Sequence, residues 1–369
     1  MKKILLEKVL KLLEGNDLYK YVYVILQFLI NNNYNFYFVG GSLRDLILSI
    51  LYNKKFLPQD IDIVVETKDY FGLVEKIKNL YFKNEDVEFI THPEFFTFSI
   101  IVLQQCKRLR IDLSLPRKEK YKFSGALPEV DFGSIEEDLF RRDFTINSIA
   151  LRYNNEKKEY YFFDPYYGIK DLFNKKIRIL HNNSFIDDPT RIIRAIRFAS
   201  SLNFKIEKNT ENLLIEAVNS SLLNNISKVR LHNEFLYILK KGQNLSQVSK
   251  NFLKYNIVDY YKEITDIISV FIKQSKKIEL QQIKNNWDIK FYIRLFYLIE
   301  TTLANMKLFY REYLKKTKDI MVRLGINKKD RKDIYYAVEI FYKKNKVLTY
   351  KKLPLWIKYY SKIFNKPFN

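Results

Sequence analysis

The chain has 369 residues, 47% of them hydrophobic and 16% aromatic, with 64 Lys and Arg against 42 Asp and Glu for a formal net charge of +22. That length fits two or three domains, and the apolar content excludes a wholly disordered chain. One cysteine, Cys106, excludes a disulfide framework and any cysteine-based zinc site, and three histidines exclude a histidine-rich metal cluster.

The longest apolar run, Tyr21 to Ile30, is about half the ~20 residues a membrane span requires. The Met-Lys-Lys start is followed by acidic Glu7 without a small-residue cleavage site, so no signal peptide is expected. A soluble cytoplasmic protein is the default expectation, with no membrane partner and no obligate protein partner inferred. The charge is uneven: Thr301 to Asn369 holds 18 basic and 5 acidic residues. A basic region of this kind suits a polyanion, most often nucleic acid. The alternative source is the composition bias of an AT-rich genome, which raises Lys together with Asn, Ile, Tyr and Phe.

The chain opens with helical periodicity at Ile4, Leu5, Val9, Leu12 and Leu13 and then Tyr21 to Ile30, broken at Asn31-Asn32-Asn33. β-like runs follow at Phe36–Val39, Ile61–Val65, Phe96–Leu103, Leu109–Leu113, Phe144–Leu151, Tyr160–Phe163 and Ile177–Leu180. Helical stretches at Leu43–Leu51 and Tyr70–Leu80 interrupt them, and from Asp188 onward nearly everything has helical period. The expected fold class is α+β. An α/β head with a small mixed sheet spans 34–180, after an N-terminal helical segment at 1–33. A helical neck at 181–250 and a basic helical body and tail at 251–369 complete it.

The chain has nine glycines, and two are adjacent in Val39-Gly40-Gly41-Ser42-Leu43-Arg44-Asp45. Glycines between a strand and a helix let backbone approach a ligand, and the amides of the following helix start are positively polarised. Ser42 adds a hydroxyl and Arg44 a fixed charge suited to phosphate. A tight turn entering a helix is the plainer reading of this string. Sixteen residues beyond Arg44 stands Asp60-Ile61-Asp62-Ile63-Val64-Val65. On a strand both carboxylates share one face while Ile61, Ile63 and Val65 pack behind. Two carboxylates so placed repel unless a cation lies between them, and oxygen ligands suit Mg²⁺. Asp112, between apolar neighbours on another β-like run, is a third candidate. Such a cluster can hold two Mg²⁺ ions for in-line attack on a nucleotide α-phosphate.

Arg141-Arg142-Asp143 leads directly into Phe144-Thr145-Ile146-Asn147-Ser148-Ile149-Ala150. Asp187-Asp188-Pro189-Thr190-Arg191-Ile192-Ile193-Arg194-Ala195-Ile196-Arg197-Phe198 starts a helix, with Asp188 as N-cap and Pro189 at the first position. Arg191, Arg194 and Arg197 cover one side of that helix, and taken alone the string also fits an amphipathic surface helix.

Together these strings resemble the class II tRNA nucleotidyltransferases and the related bacterial poly(A) polymerases. Gly40 to Asp45 with Asp60 to Glu66 is similar to the family's first motif, and Arg141 to Ala150 to its second. Asp164-Pro165 through Gly168, Asp171-Leu172 and Lys176-Ile177-Arg178 resemble the third, and Asp187 to Phe198 the fourth. Leu115 to Tyr121 and Gly125 to Pro128 also match, and the likeness is dense from about 34 to 208. The resemblance implies that Asp60 and Asp62 bind the metal, with Asp112 a further catalytic carboxylate. It implies that Gly41, Ser42 and Arg44 cradle the triphosphate and that Arg142 is another nucleotide contact. Asp188 and Arg191 match the pair that reads the base, and Arg194 and Arg197 further nucleotide-binding arginines.

Base reading also has a physical rationale. Cytosine and adenine each offer an exocyclic amine beside an unprotonated ring nitrogen, so a carboxylate can accept from one and an arginine donate to the other. Uracil and guanine reverse that pattern, and opposed buried polar groups discriminate strongly. One Asp–Arg pair can therefore admit CTP and ATP without a template.

The chain departs from the family where Asp187 replaces the usual Glu and where Asn147-Ser148-Ile149-Ala150 replaces Asn-Ala-Met-Ala, on an expected buried strand. No His-Asp pair occurs, so the phosphohydrolase domain attached to some relatives is not expected. Beyond 208, basic residues alternate with aromatics at Phe341–Lys344, Tyr350–Lys352 and Trp356–Tyr360, which suits phosphate contact and stacking on RNA, or an ordinary helix core under a solvated face. The implied function is addition of C and A to the tRNA 3′ end from CTP and ATP. A CC-adding or A-adding partial enzyme, a poly(A) polymerase and an inactive RNA-binding relative are the competing readings. The 84–95 segment is expected to be a mobile element governing when addition stops.

Overall fold

The computed structural model describes residues 5–9, 11, 19–52, 58, 60–81, 86–92, 96–104, 107–241, 244–280 and 310–326, with a few single positions between 294 and 335. It divides into two compact units, 1–123 with 127–184, and 124–126 with 185–369. The basic-aromatic strings at 341–344, 350–352 and 356–360, and Cys106, lie outside the described residues. Among the described residues no helix is long and apolar enough to cross a membrane.

The first unit is organised by a seven-stranded mixed sheet in the order β3-β4-β5-β2-β1-β8-β9. Its strands are β1 Asn35–Val39, β2 Asp60–Glu66, β3 Val87–His92, β4 Thr97–Gln104, β5 Lys107–Ser114, β8 Ala150–Asn154 and β9 Glu159–Phe163. A separate hairpin pairs β6 Arg117–Lys120 with β7 Glu129–Phe132. Helix α1 Lys20–Asn31 precedes the sheet, α2 Gly40–Leu51 follows β1 and α3 Tyr70–Leu80 follows β2. Strands β2 and β5 run parallel, placing Asp62 beside Asp112, while β1 runs antiparallel to β2 with Val39 opposite Asp62. Ile61, Ile63 and Val65 are buried behind the carboxylates, as strand alternation requires. The opposite face, carrying Tyr37, Val39 and Val64, is closed by Ile135 and Leu139 of α4 Ile135–Phe140. That helix starts at a capping box in which Ser134 and Glu137 satisfy each other's backbone N–H groups.

Two expectations are corrected. The run Phe144–Leu151 is not one strand: Phe144 makes an isolated bridge to Ile179, Thr145–Asn147 forms a 3₁₀ turn, and the strand begins only at Ala150. Phe144, Ile146 and Ile149 are all buried because the turn is enclosed, and a continuous apolar run does not distinguish an enclosed turn from a strand. Ile177–Leu180 shortens to a two-residue strand, Lys176–Ile177. The described part of the 84–95 segment is edge strand β3, paired along its length with β4 from Val87↔Val102 to His92↔Thr97.

The third motif buttresses that turn. Asp164 accepts from the backbone N–H groups of Gly168 and Ile169, starting α5 Gly168–Phe173, and Asp171 accepts from Thr145 Oγ1 and Arg178 Nε. A Cβ at Gly168 would lie 2.2 Å from the Thr145 carbonyl oxygen and 2.6 Å from Ile149 Cγ1. Gly168→Ala is therefore expected to destabilise the protein by about 2 kcal/mol or more, through overpacking against backbone. A urea midpoint equal to the parent's would show that the turn yields instead.

The second unit is helical. Its helices include α7 Thr190–Leu202, α8 Lys208–Asn219, α9 Lys228–Lys241, α10 Leu245–Lys254, α11 Thr265–Leu280 and α12 Tyr310–Arg323, after the one-turn α6 Ser184–Asp187 at the boundary. Aromatics build its core: Phe235 and Phe252 lie 5.8 and 5.9 Å from Tyr261, and Phe235 makes an edge contact with Phe271 at 5.2 Å. Tyr261 is fully buried and donates to the Leu231 carbonyl.

Candidate active site

The strand-to-helix turn at Gly40 is set by what stands opposite it. Gly40 has φ +83°, and a Cβ there would fall 2.6 Å from Asp62 Oδ2 and 3.3 Å from Arg142 Nη1. Positive φ and this close approach both require glycine. Gly41, named from the sequence, is an ordinary helical residue; a Cβ on it would meet Arg44 Nη2 at 3.4 Å. The turn brings the β1–α2 backbone against the carboxylate on β2.

Asp62 titrates high, its carboxyl pushed up to about 6. Burial is the main cause, Arg142 opposes it, and the charges of Asp112 and Asp60 add to it. Asp60 is exposed at the start of the strand. Asp112 is held by one oxygen: Oδ1 accepts from Ser99 Oγ at 2.6 Å and Arg110 Nε at 2.8 Å, and among the described residues no hydrogen bond reaches Oδ2. Tyr70 Oη is buried without a hydrogen-bond partner, and burial together with the Asp112 charge pushes its pKa up.

This donor set fits a hard cation. The carboxylate charges that push up the Asp62 pKa are relieved by positive charge, and Asp112 keeps an oxygen turned away from its protein donors. Among the described residues no group of three or more His, Cys, Asp or Glu is already arranged around a metal position. Asp60 and Asp62 are accordingly the residues that could hold the ion, with Asp112 beside them.

The cations expected at the triphosphate are braced by residues sequence reasoning passed over. Arg44 is buried and donates through Nη1 to Asn147 Oδ1 at 2.6 Å and through Nε to Asp45 at 2.7 Å. Asn147 in turn donates to Asp143. Ser42 Oγ donates to the Val39 carbonyl at 3.2 Å, within the turn. Arg142 donates to Asp138 Oδ2, and Arg141 donates through Nε and Nη2 to Asp138 Oδ1. Asp138 is fully buried. Burial alone would push its carboxyl up, but Arg142 and Arg141 outweigh that and hold it below the ordinary range. Its sequence signal was the Ser134–Glu137 capping box, which marks a helix placing Asp138 one turn before the Arg pair.

In the second unit, α7 is buried nearly all round, so the amphipathic surface-helix alternative does not hold. The helix begins at Thr190, one residue later than expected, with Pro189 outside it. Asp188 still caps, accepting from the Thr190 N–H and Thr190 Oγ1. Arg191 and Arg197 are buried. Arg197 lies between two rings, 4.4 Å from the centroid of Phe198 and 4.6 Å from that of Tyr237, with Glu234 3.8 Å from its Nε. Arg194 approaches the same glutamate at 3.7 Å. Asp188 takes its ionic partner from Arg230, a residue that sequence reasoning missed, at 2.8 Å.

Residues 36–178 match the poly A polymerase head domain family, and residues 203–260 match the family described as the probable RNA and SrmB-binding site of polymerase A. An A-adding tRNA nucleotidyltransferase of Aquifex aeolicus is 38% identical over 224 residues, 60% of this chain and 25% of that one. A CCA-adding enzyme of Ligilactobacillus salivarius is 31% identical over 296 residues, covering 79% of this chain and 66% of its own length. The chain thus spans only a quarter of the Aquifex relative. Among solved structures, a tRNA-processing enzyme with CTP aligns at TM-score 0.61 and 25% identity over 93% of this chain and 91% of that one. The Thermotoga maritima CCA-adding enzyme complexed with tRNA aligns at TM-score 0.59 and 25% identity over 96% and 82%.

Proposed function

We propose that this chain, which belongs to the class II tRNA nucleotidyltransferase family, adds C, A or both to the 3′ end of tRNA in the cytoplasm, using CTP and ATP without a template. The observation that carries the reading is the Gly40 turn, pressed so closely on Asp62 that only glycine fits, with Arg142 Nη1 3.3 Å from the same Cβ position. A backbone turn, a buried acid and a braced arginine at one spot suit a triphosphate and a divalent ion better than they suit a structural turn.

The tRNA 3′-hydroxyl oxygen attacks the α-phosphorus; a new P–O bond forms as the bond to the β-bridging oxygen breaks, pyrophosphate leaves, and the hydroxyl proton goes to water. Asp60 and Asp62 would hold Mg²⁺, which when bound polarises the attacking hydroxyl and offsets charge on the departing pyrophosphate. Asp62 contributes a carboxylate fixed by burial, and Asp112 a third negative group through its outward oxygen. Arg142, braced by Asp138, and Arg44, braced by Asn147, supply positive charge that needs no reorganisation when the phosphates arrive. Asp188 and Arg191 would read the base, with Arg194 and Arg197 as further nucleotide-binding arginines.

An A-adding specificity is the second reading, favoured by the relatives of Aquifex aeolicus and Geobacter sulfurreducens, 38% and 39% identical, both named A-adding. Three tRNA transcripts, ending at the discriminator base, after C and after CC, test both when incubated with Mg²⁺ and labelled CTP, ATP or both. Completion of all three is expected of a full CCA enzyme, and extension of the CC transcript alone of an A-adding one. Long A tails would point to a polymerase. Bound tRNA with no incorporation under any condition would overturn the enzymatic reading.

A further inference from the structure

We propose that Arg230 is a positioning residue that fixes which oxygen Asp188 presents and so sets base discrimination; this rests on the assignment of base reading to Asp188. Three donors converge on Asp188 Oδ1: Arg230 Nη2 at 2.8 Å, Thr190 Oγ1 at 2.7 Å and the Thr190 N–H at 3.1 Å. A carboxylate oxygen has two in-plane lone pairs, so these donors saturate it. None of the three reaches Oδ2. The carboxylate therefore offers one oxygen, with a fixed orientation, to an exocyclic amine.

Arg230 holds that orientation because its fork has a second anchor. Its Nη1 donates to the Gly125 carbonyl at 2.7 Å, so the plane of the guanidinium is set by two contacts at once. Gly125 is itself fixed by backbone. It has φ +78°, its N–H points to the Asp187 carbonyl at 3.4 Å, and a Cβ there would stand 2.6 Å from the Asn225 carbonyl oxygen. Without Arg230 the Asp188 carboxylate loses its charged donor and can turn about its broad terminal torsion. The two Thr190 donors would then hold Oδ1 alone, and the looser carboxylate would present a less defined acceptor to the carbonyl of uracil or guanine.

The test compares the parent, Arg230→Ala, Arg230→Lys, Asp188→Asn and the double variant of Arg230→Ala with Asp188→Asn. Equilibrium binding of CTP, ATP, UTP and GTP is measured for each in the full chain, with thermal melts alongside. Arg230→Ala is expected to shrink the preference for CTP and ATP by about tenfold or more, the weight of one charge-assisted hydrogen bond. Arg230→Lys keeps the charge but can reach only one acceptor, so it should recover part of the preference; it carries the test if the alanine variant does not fold. Because Arg230 acts through Asp188, the double variant should lose no more preference than Asp188→Asn alone. Equal weakening for all four nucleotides would reduce Arg230 to a structural role and overturn the inference. An Asp188→Asn preference equal to the parent's would instead overturn base reading by Asp188, and the inference with it.

Discussion

Asp62→Asn is expected to lower nucleotide incorporation by about 10³-fold or more while making the metal-free protein more stable. The loss follows from removing a carboxylate that would hold the ion, an interaction worth several kcal/mol at the transition state. The gain follows from the titration of the same group. Its folded pKa, pushed from 3.8 to about 6, chiefly by burial, exceeds the unfolded value, so ionised Asp62 costs the fold stability. That cost is complete above about pH 6 and vanishes below about pH 4. At pH 7 it amounts to about 2 kcal/mol, after allowance for the solvent that still reaches the side chain. In chelator, the parent should therefore gain stability relative to Asp62→Asn as pH falls from 6 to 4, and the two should converge in acid. Mg²⁺ should raise the melting temperature of the parent and leave that of the variant nearly unchanged, since binding to the native state alone shifts the equilibrium. A variant that incorporates nucleotide at the parent rate would remove Asp62 from the metal site. A variant less stable than the parent at pH 7 in chelator would mean that the carboxylate is held by partners rather than opposed by its surroundings.

The residues most legible in the sequence were those whose role is dictated by strand alternation. Asp60 and Asp62 on one face with Ile61, Ile63 and Val65 behind followed from a period of two, and the structure has them so. Asp112 came from a second such run, though nothing in its own string says that it neighbours Asp62 on a parallel strand; pairing register is a tertiary fact. The adjacent glycines announced a special turn but not which of them is indispensable. That distinction depends on φ +83° at Gly40 and on Asp62 Oδ2 behind it. Helix α4 was signalled by Ser134 and Glu137 and still passed unread, because six residues are too few to show a helical period. Strand β3 was not read as a strand; its positions are exposed or half-buried, which is usual for a sheet edge. Arg230 and Asp138 were illegible for a different reason. Each acts on a partner that only folding brings within reach, or through a buried ion network whose members look like ordinary surface charges in one dimension.

Asp138 is where that blindness has its largest energetic consequence. The carboxylate is fully buried, and three groups converge on it: the Arg141 guanidinium, the Arg142 guanidinium and the backbone N–H of Arg117, the last at 3.4 Å. Arg141 is shared with Glu119 at 2.8 Å, and Arg117 reaches the same glutamate at 3.4 Å, so two acids and three arginines form one network. Asp138→Ala would leave two guanidiniums partly buried around a missing charge, and breaking a buried pair from one side typically costs about 3–5 kcal/mol. Asp138→Asn should cost less, because it keeps the shape and one acceptor oxygen. The pH dependence has the sign opposite to that of Asp62. A depressed folded pKa contributes stability above the unfolded value near 4 and loses it as pH falls through the folded value, so the gap between parent and Asp138→Ala should narrow in acid. Urea unfolding at pH 7 and at progressively lower pH measures both the size and the slope. A loss below about 1 kcal/mol at pH 7 would show that water replaces the carboxylate and that the network is not closed. The two variants also separate folding from positioning. Where Asp138→Asn remains folded, Arg142 keeps its place on the chain but loses its ionic partner, and its guanidinium, whose Nη1 is 3.3 Å from where a Gly40 Cβ would stand, can turn toward Asp62, whose Oδ2 is 2.6 Å from the same point. Nucleotide KM is then expected to rise in the folded variant, because Arg142 would neutralise Asp62 instead of meeting the triphosphate it is proposed to bind.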